Sequence, residues 1–478
     1  MNLSSDLRVC LHLPRHARPL RRRVVPLRTI VAAVVVLCAV PCNAQTAAST
    51  AQSKDIVLEA QAPVPATPAA AASAPVARVA PVVPTVPAVT LPANIAPTLG
   101  RRAVAAAAMA DLGLHLMRQS SPAAGNARSN LVVSPYSVAM ALGMLQAGSV
   151  GSTASEIAGV FEPSTSAGRL LASGLGELPQ AIQGDAFSQW YAPNRIWVGQ
   201  GVTKDIAPSY LARLKDQFGA DGALLDFSGA PEQARVAINA WAADATQKHI
   251  TQLLSPGSIK PTSKMVLTNA AYFRGQWNTP LDPANTHPAP FMADALSKDV
   301  PTMHGIVAAR EGTVDNIYVL ELGFEGNNFS LMLALPPMGH TVQALEGDVM
   351  GADIASWTAL LKPQRVRLAL PKFSIAGSGQ SLNDALMAAG MKTAFGNGAD
   401  FSGIFKGTVL TLDNVFHAAA IDVNEEGATA SAATAALTIS KSLAGVEPPL
   451  RAFNRPFVFV LLHKPTGTPL FIGRVAQP

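Results

Sequence analysis

Beyond residue 42 this chain has no cysteine: the three it carries, Cys10, Cys38 and Cys42, lie within the first 44 of its 478 residues. The remainder therefore builds no disulfide, no thiolate metal site and no cysteine nucleophile. Charge is scarce as well, at 14% of residues, and aromatics make up 6%. What net charge there is, formally +5, belongs to one end. Residues 1–44 hold seven arginines (Arg8, Arg15, Arg18, Arg21, Arg22, Arg23, Arg28) against Asp6, and without them 29 basic and 30 acidic residues remain. That balance removes the main support for a nucleic-acid binder and gives no sign of a basic face for a polyanionic activator. Hydrolase signatures are missing too: no H-E-x-x-H, no G-x-S-x-G, no S-x-x-K nucleophile and no Walker-type GK[ST] loop. The nine histidines are scattered without metal-ligand spacing. Neither a metal nor a cofactor is expected.

The first hundred residues contain an address and a tether. A basic region ends at Arg28, the apolar stretch Ile30–Val40 follows, and the small-residue end CNAQ offers a cut after Ala44. The apolar stretch is short for a bilayer span. The layout reads as a signal peptide over 1–44, with an uncleaved anchor as the alternative, and RRRVV at Arg21–Val25 weakly resembles a twin-arginine signal. The expected location is secreted, or periplasmic and held at the cell envelope, with no membrane span in the mature chain. Residues 45–100 are rich in Ala, Pro and Val. Repeated prolines remove backbone donors and block helix and central strand, so this segment reads as a semi-extended tether.

The folded domain is expected over 101–478. Ala103–Gln119 has helical composition. Ser134 followed by Pro135 starts another helix as cap and first residue, and TASE at Thr153–Glu156 reads as a capping box. Further helices are expected at Glu232–Leu254 and Ser381–Ala389. Strand candidates are RIWVG, MVLTNAAYF, YVLEL, SLMLALP, RVRLALPKFSI and two C-terminal runs. Helices and strands mix without strict βαβ alternation, which gives an α+β class.

One stretch fits none of these elements. EEGATASAATAALTISKSLAG, Glu425–Gly445, opens with two acids and a glycine, runs through small residues and carries one lysine, Lys441, the only basic residue between Asn424 and Pro449. By composition alone it is an Ala-rich helix or a linker. It is also what a strand held in reserve requires: no proline interrupts Glu425–Glu447, and one parity reads Ala428, Ala430, Ala432, Thr434, Ala436, small enough to enter a packed sheet.

Eight blocks, in order, resemble the serpin family. They are NLVVSPYSVAMALGMLQAGSVGSTASEI from Asn130, INAWAADATQKHITQLL from Ile238, MVLTNAAYFRGQW from Met265, LPKFSI from Leu370, LNDALMAAGMKTAF from Leu382, ADFSGI from Ala399, VFHAAAIDVNEEG from Val415 and FNRPFVFVLLHKPTGTPLFIGRV from Phe453. The resemblance covers about 101–478. It implies a serpin fold of three β-sheets and about nine helices, with an exposed reactive loop at about 425–449. It implies a suicide-substrate inhibitor rather than an enzyme: a protease cuts the loop, stays attached as an acyl-enzyme, and is dragged across as the loop inserts into the large sheet. Loop insertion of this kind is a known mode of strand addition.

Carried over residue by residue, the hinge is Glu425, Glu426, Gly427, Ala428, Thr429 and Ala430. The family's spacing of 16 residues from the first hinge glutamate puts the reactive bond at Lys441–Ser442, which implies a trypsin-like serine protease as covalent partner of a monomer. Ser134, Ser137, Asn269 and His417 match the polar group under the sheet opening; Trp277 and the pair Glu425–Lys372 match the loop's entry point. These roles are structural, and no residue is expected to be catalytic. The sequence departs from the family in two places. Ala428 stands where Thr or Ser is usual, and the stretch from Ser442 to Phe453 is about four residues longer than usual, which leaves Leu443 as a second candidate for the cut. The competing readings are a non-inhibitory binding or chaperone-like serpin and an inhibitor that also takes cysteine proteases.

Overall fold

The computed structural model describes residues 95–478 except 121–128, 162–174, 203–205, 294–295, 350, 377–378, 406, 408–409 and 429–446. The signal segment, residues 45–94 of the expected tether, and Thr429, Ala430, Lys441 and Ser442 therefore lie outside the described residues.

Nine α-helices among the described residues surround two hydrogen-bonded sheets. The nine-stranded sheet runs in the order Leu131–Val133, Thr468–Val475, Phe457–His463, Phe329–Leu335, Ile317–Gly323, Leu296–Val314, Lys362–Pro371, Leu450–Ala452, with Thr286–Ala293 also on Leu296–Val314. It contains two of the three expected sheets, joined by that one 19-residue strand. Thr302–Glu311 of it pairs with Lys362–Pro371, and Arg310–Val314 pairs with Ile317–Glu321. The eight-stranded sheet runs Phe373–Ala376, Leu412–Val423, Gly427–Ala428, Met265–Gln276, Asn194–Gly199, Asp221–Leu225, with Gln380–Ser381 also on Leu412–Val423 and Ser188–Tyr191 also on Met265–Gln276.

Helix Pro135–Gly148 explains why its sequence is apolar on every side: 12 of its 14 residues are buried, because it packs against strands of both sheets. Ser134 caps it, accepting from the Ser137 amide. On the other face of the eight-stranded sheet, helix Pro231–Ala245 covers a second core of Trp197, Ile238, Ala270, Tyr272, Ala418 and Ala420. The central strands are thus buried on both faces, and read as nearly continuous apolar runs.

Four local readings shift. The first helix runs Ile95–Gln119, beginning within the segment assigned to the tether. The helix expected to reach Leu254 ends at Ala245, since Gln247 and Lys248 adopt left-handed backbone and the Thr246 hydroxyl donates back to the Ala242 carbonyl at 2.7 Å. TASE is not a capping box. Its helix starts at Gly151; Thr153 accepts from the Asp400 amide at 2.9 Å, and the Glu156 carboxylate takes the amides of Lys392 and Thr393. RVRLALPKFSI is two strands in two sheets, Lys362–Pro371 and Phe373–Ala376, with Lys372 at the crossing.

Candidate functional site

The eight-stranded sheet has a mouth. From Leu412/Met265 to Ala420/Tyr272, its two central strands pair directly and in parallel. Above Ala420 they part, and Gly427–Ala428 lies between them, antiparallel to both: Ala428 opposite Val423 on one side, and Gly427 and Ala428 opposite Gln276 and Gly275 on the other. The chain turns back at Asn424, whose side-chain oxygen accepts from the amides of Glu426 and Gly427 at 3.0 and 3.2 Å. Gly427 has φ +153°, and a Cβ there would lie 1.9 Å from the Gly275 carbonyl oxygen, so only glycine fits. Ala428 is fully buried.

Side chains fix this turn from every direction. The Trp277 amide donates to the Glu426 carbonyl and its indole N–H to the Asn424 carbonyl, both at 2.9 Å, while its ring stacks on Phe324 at 4.5 Å. Glu425 is 7% exposed. Its carboxylate accepts from Thr286 at 2.7 Å and pairs with Lys372 at 2.9 Å. Burial pushes the Glu425 carboxyl up, but the Thr286 hydrogen bond and the Lys372 ammonium outweigh it, and the net shift is downward.

Four residue pairs below the mouth sits a buried polar cluster. His417 and Asn269 are opposite one another in the parallel ladder, and their side chains hydrogen-bond directly. The Ser134 amide donates to His417 Nε2 at 3.0 Å, so Nε2 carries no proton, and Nδ1–H donates to the Asn269 side-chain oxygen. The Asn269 amide group in turn donates to the Ser137 hydroxyl and to Asn194. His417, Asn269, Ser134 and Ser137 are fully buried. Desolvation holds the His417 imidazole neutral, its pKa lowered from 6.5 to about 3. The cluster ties both central strands, the neighbouring strand Asn194–Gly199 and helix Pro135–Gly148 together through hydrogen bonds alone.

The structure thus gathers the anticipated residues at two points: Glu425, Glu426, Gly427, Ala428, Trp277 and Lys372 at the mouth, and Ser134, Ser137, Asn269 and His417 below it. It adds Thr286, Asn424 and Asn194, which sequence reasoning missed. Asn424 had a local signal, an Asx-type residue just before E-E-G; Thr286 and Asn194 had none, their partners lying 139 and 75 residues away. Downstream, Arg451 is spoken for. It makes a two-pronged pair with Glu311 at 2.6 and 2.9 Å and lies over the Tyr318 ring.

Residues 107–478 match the family model described as Serpin (serine protease inhibitor). The chain belongs to the serpin family. Human glia-derived nexin is 32% identical over 364 residues, which are 73% of this chain and 88% of that one. The leukocyte elastase inhibitor of Bos taurus is 32% identical over 366 residues, 74% of this serpin and 94% of the relative. Among solved structures, native protease nexin-1 with heparin superposes with a TM-score of 0.68 at 28% identity, covering 80% of this chain and all of the other. No helix among the described residues is long and apolar enough to cross a membrane.

Proposed function

We propose that this serpin is a suicide-substrate inhibitor of trypsin-like serine endopeptidases, with Lys441–Ser442 as its reactive bond. The observation that carries the reading is the two-residue strand Gly427–Ala428, antiparallel to both central strands at a mouth whose lower part is still closed. Extending it downward exchanges one parallel ladder for two antiparallel ones, which doubles the backbone pairing and favours the better-aligned hydrogen-bond geometry. Continued as a strand, the chain turns Ala430, Ala432, Thr434 and Ala436 to the same face as buried Ala428. These residues add little volume to a packed interior.

In this reading a protease serine attacks the Lys441 carbonyl. The Lys441–Ser442 amide breaks, Ser442 leaves with the proton on its new amine, and Lys441 stays as an ester on the enzyme. An acidic specificity pocket accepts the Lys441 ammonium as a charge-assisted pair. Arg451 does not compete as bait, since Glu311 and Tyr318 hold it in the sheet. Residues 1–44 serve as a signal and 45–100 as a tether, so the domain works as a secreted or envelope-held monomer.

Incubation with trypsin followed by a denaturing gel tests the reading. A band at the summed mass is expected, and the released peptide should begin at Ser442 by mass spectrometry. Clean cleavage with no such band would sink the proposal. Lys441→Ala should abolish trapping of trypsin and leave the melting temperature unchanged.

A further inference from the structure

The FNRPF motif commits Phe453 and Phe457 to the core, where both are buried, while its arginine is only partly buried. Arg455 lines an open cavity of about 350 Å³. Met292, Pro336, Met338, Val342, Pro456 and Ala476 give it apolar walls, and His340, Thr341, Gln343 and Gln477 add polar edges. Met338 and Met292 are 82% and 55% exposed, unusual for side chains of their kind. No Asp or Glu lines the cavity among the described residues.

Arg455 itself is under-satisfied. One guanidinium nitrogen donates to the Pro336 carbonyl at 2.9 Å, while Nε is buried with no partner among the described residues. Three other arginines withdrawn from water each have a carboxylate: Arg474 has Glu346, Arg451 has Glu311 and Arg310 has Glu321. Arg455 has none among the described residues, and burial lowers its pKa accordingly. A cation partly removed from water and left unpaired costs free energy unless a counter-charge arrives. An anion with an apolar body supplies that charge and covers the two thioethers at once.

We infer that this cavity binds a small carboxylate with an apolar body, its head on the Arg455 guanidinium and its body against Met292, Met338, Pro336 and Pro456. The planar guanidinium fork suits a carboxylate, and methionines adapt to an irregular apolar shape. The cavity is built on the segment just after the edge strand Leu450–Ala452, with the Met292 amide donating to the Asn454 carbonyl at 2.8 Å. The inference stands whether or not the chain traps a protease.

Isothermal titration of the full chain with octanoate and benzoate tests it, with octanol and octylamine as matched neutral and cationic bodies. Both carboxylates are expected to bind, and octanol and octylamine at least tenfold more weakly. Arg455→Met should weaken octanoate at least tenfold. Because that change also removes the Pro336 hydrogen bond, Met338→Glu is the second variant: it alters an exposed side chain, adds a carboxylate to the same wall, and should weaken octanoate to a similar degree. No octanoate binding, equal binding of octanol, or full octanoate affinity in Met338→Glu would each overturn the inference.

Discussion

At the scale of single residues, Gly427 and His417 carry the most consequence. A side chain at 427 collides with the Gly275 carbonyl in the observed arrangement, so Gly427→Ala should expel the two-residue strand from the mouth. With insertion hindered, a protease that cuts the loop escapes more often. The expected result is at least a tenfold rise in the moles of serpin consumed per mole of protease inactivated. An unchanged titration end point would show that the hinge tolerates bulk. For His417 the sign follows from its lowered pKa. The unfolded imidazole takes a proton near pH 6.5 and the folded one only near 3, so stability is complete above about 6.5 and is lost as pH falls toward 3. His463, lowered by burial to about 4, acts in the same direction. Urea midpoints should therefore fall steadily between pH 7 and pH 4, and His417→Phe should flatten that fall without removing it.

Residues of this kind were readable to different degrees. Gly427 and the polar set at 134, 137, 269 and 417 stand inside blocks whose order gives them away. Asn194 and Thr286 sit in stretches with no local pattern; only the folded sheet brings them to Asn269 and Glu425. The capping-box reading of Thr153 and Glu156 failed for a related reason. Both side chains do cap backbone amides, but those of a segment more than 200 residues away, and a four-residue pattern cannot tell its own amides from distant ones.

At the scale of elements, the mouth is held by two kinds of bond. Apolar packing of Ala270, Ala418 and Ala420 under helix Pro231–Ala245 is shallow because the side chains are small, while the His417–Asn269 cluster below is specific and directional. Removing one member should open the sheet more easily than its burial alone implies. Asn194→Ala takes away a strap from the neighbouring strand, and about 1–3 kcal/mol of stability is expected to go with it because the Asn269 amide is left short of a partner. Equilibrium denaturation reads that loss, and a value near zero would mean that Ser137 alone satisfies Asn269. The sequence pattern of RVRLALPKFSI reads as one strand; its division at Lys372 follows from the two sheets meeting there, which an alternating pattern of apolar residues does not reveal. The long strand Leu296–Val314 hid the same fact from the other side, since it serves both halves of the nine-stranded sheet.

At the scale of the whole molecule, the class and the order of blocks were legible, because each central strand is buried on both faces and so stands out as an apolar run; the number of helices was implied only by the family resemblance. If the loop inserts after cleavage, the cut protein should melt at a markedly higher temperature than the intact one, by scanning calorimetry at matched concentration. An unchanged melting temperature would count against insertion.

The strands Leu450–Ala452, Phe457–His463 and Thr468–Val475 all belong to the nine-stranded sheet and interleave with strands from earlier in the chain. A cut at Lys441–Ser442 would therefore divide the polypeptide without dividing the particle: residues 450–475 stay clamped by their neighbours. Gel filtration would register no change, while sodium dodecyl sulfate would release a small fragment. From then on, unfolding is also dissociation, so recovery from denaturant should depend on concentration, as assembly from two partners does. A single severed bond would make the molecule a heterodimer of its own parts.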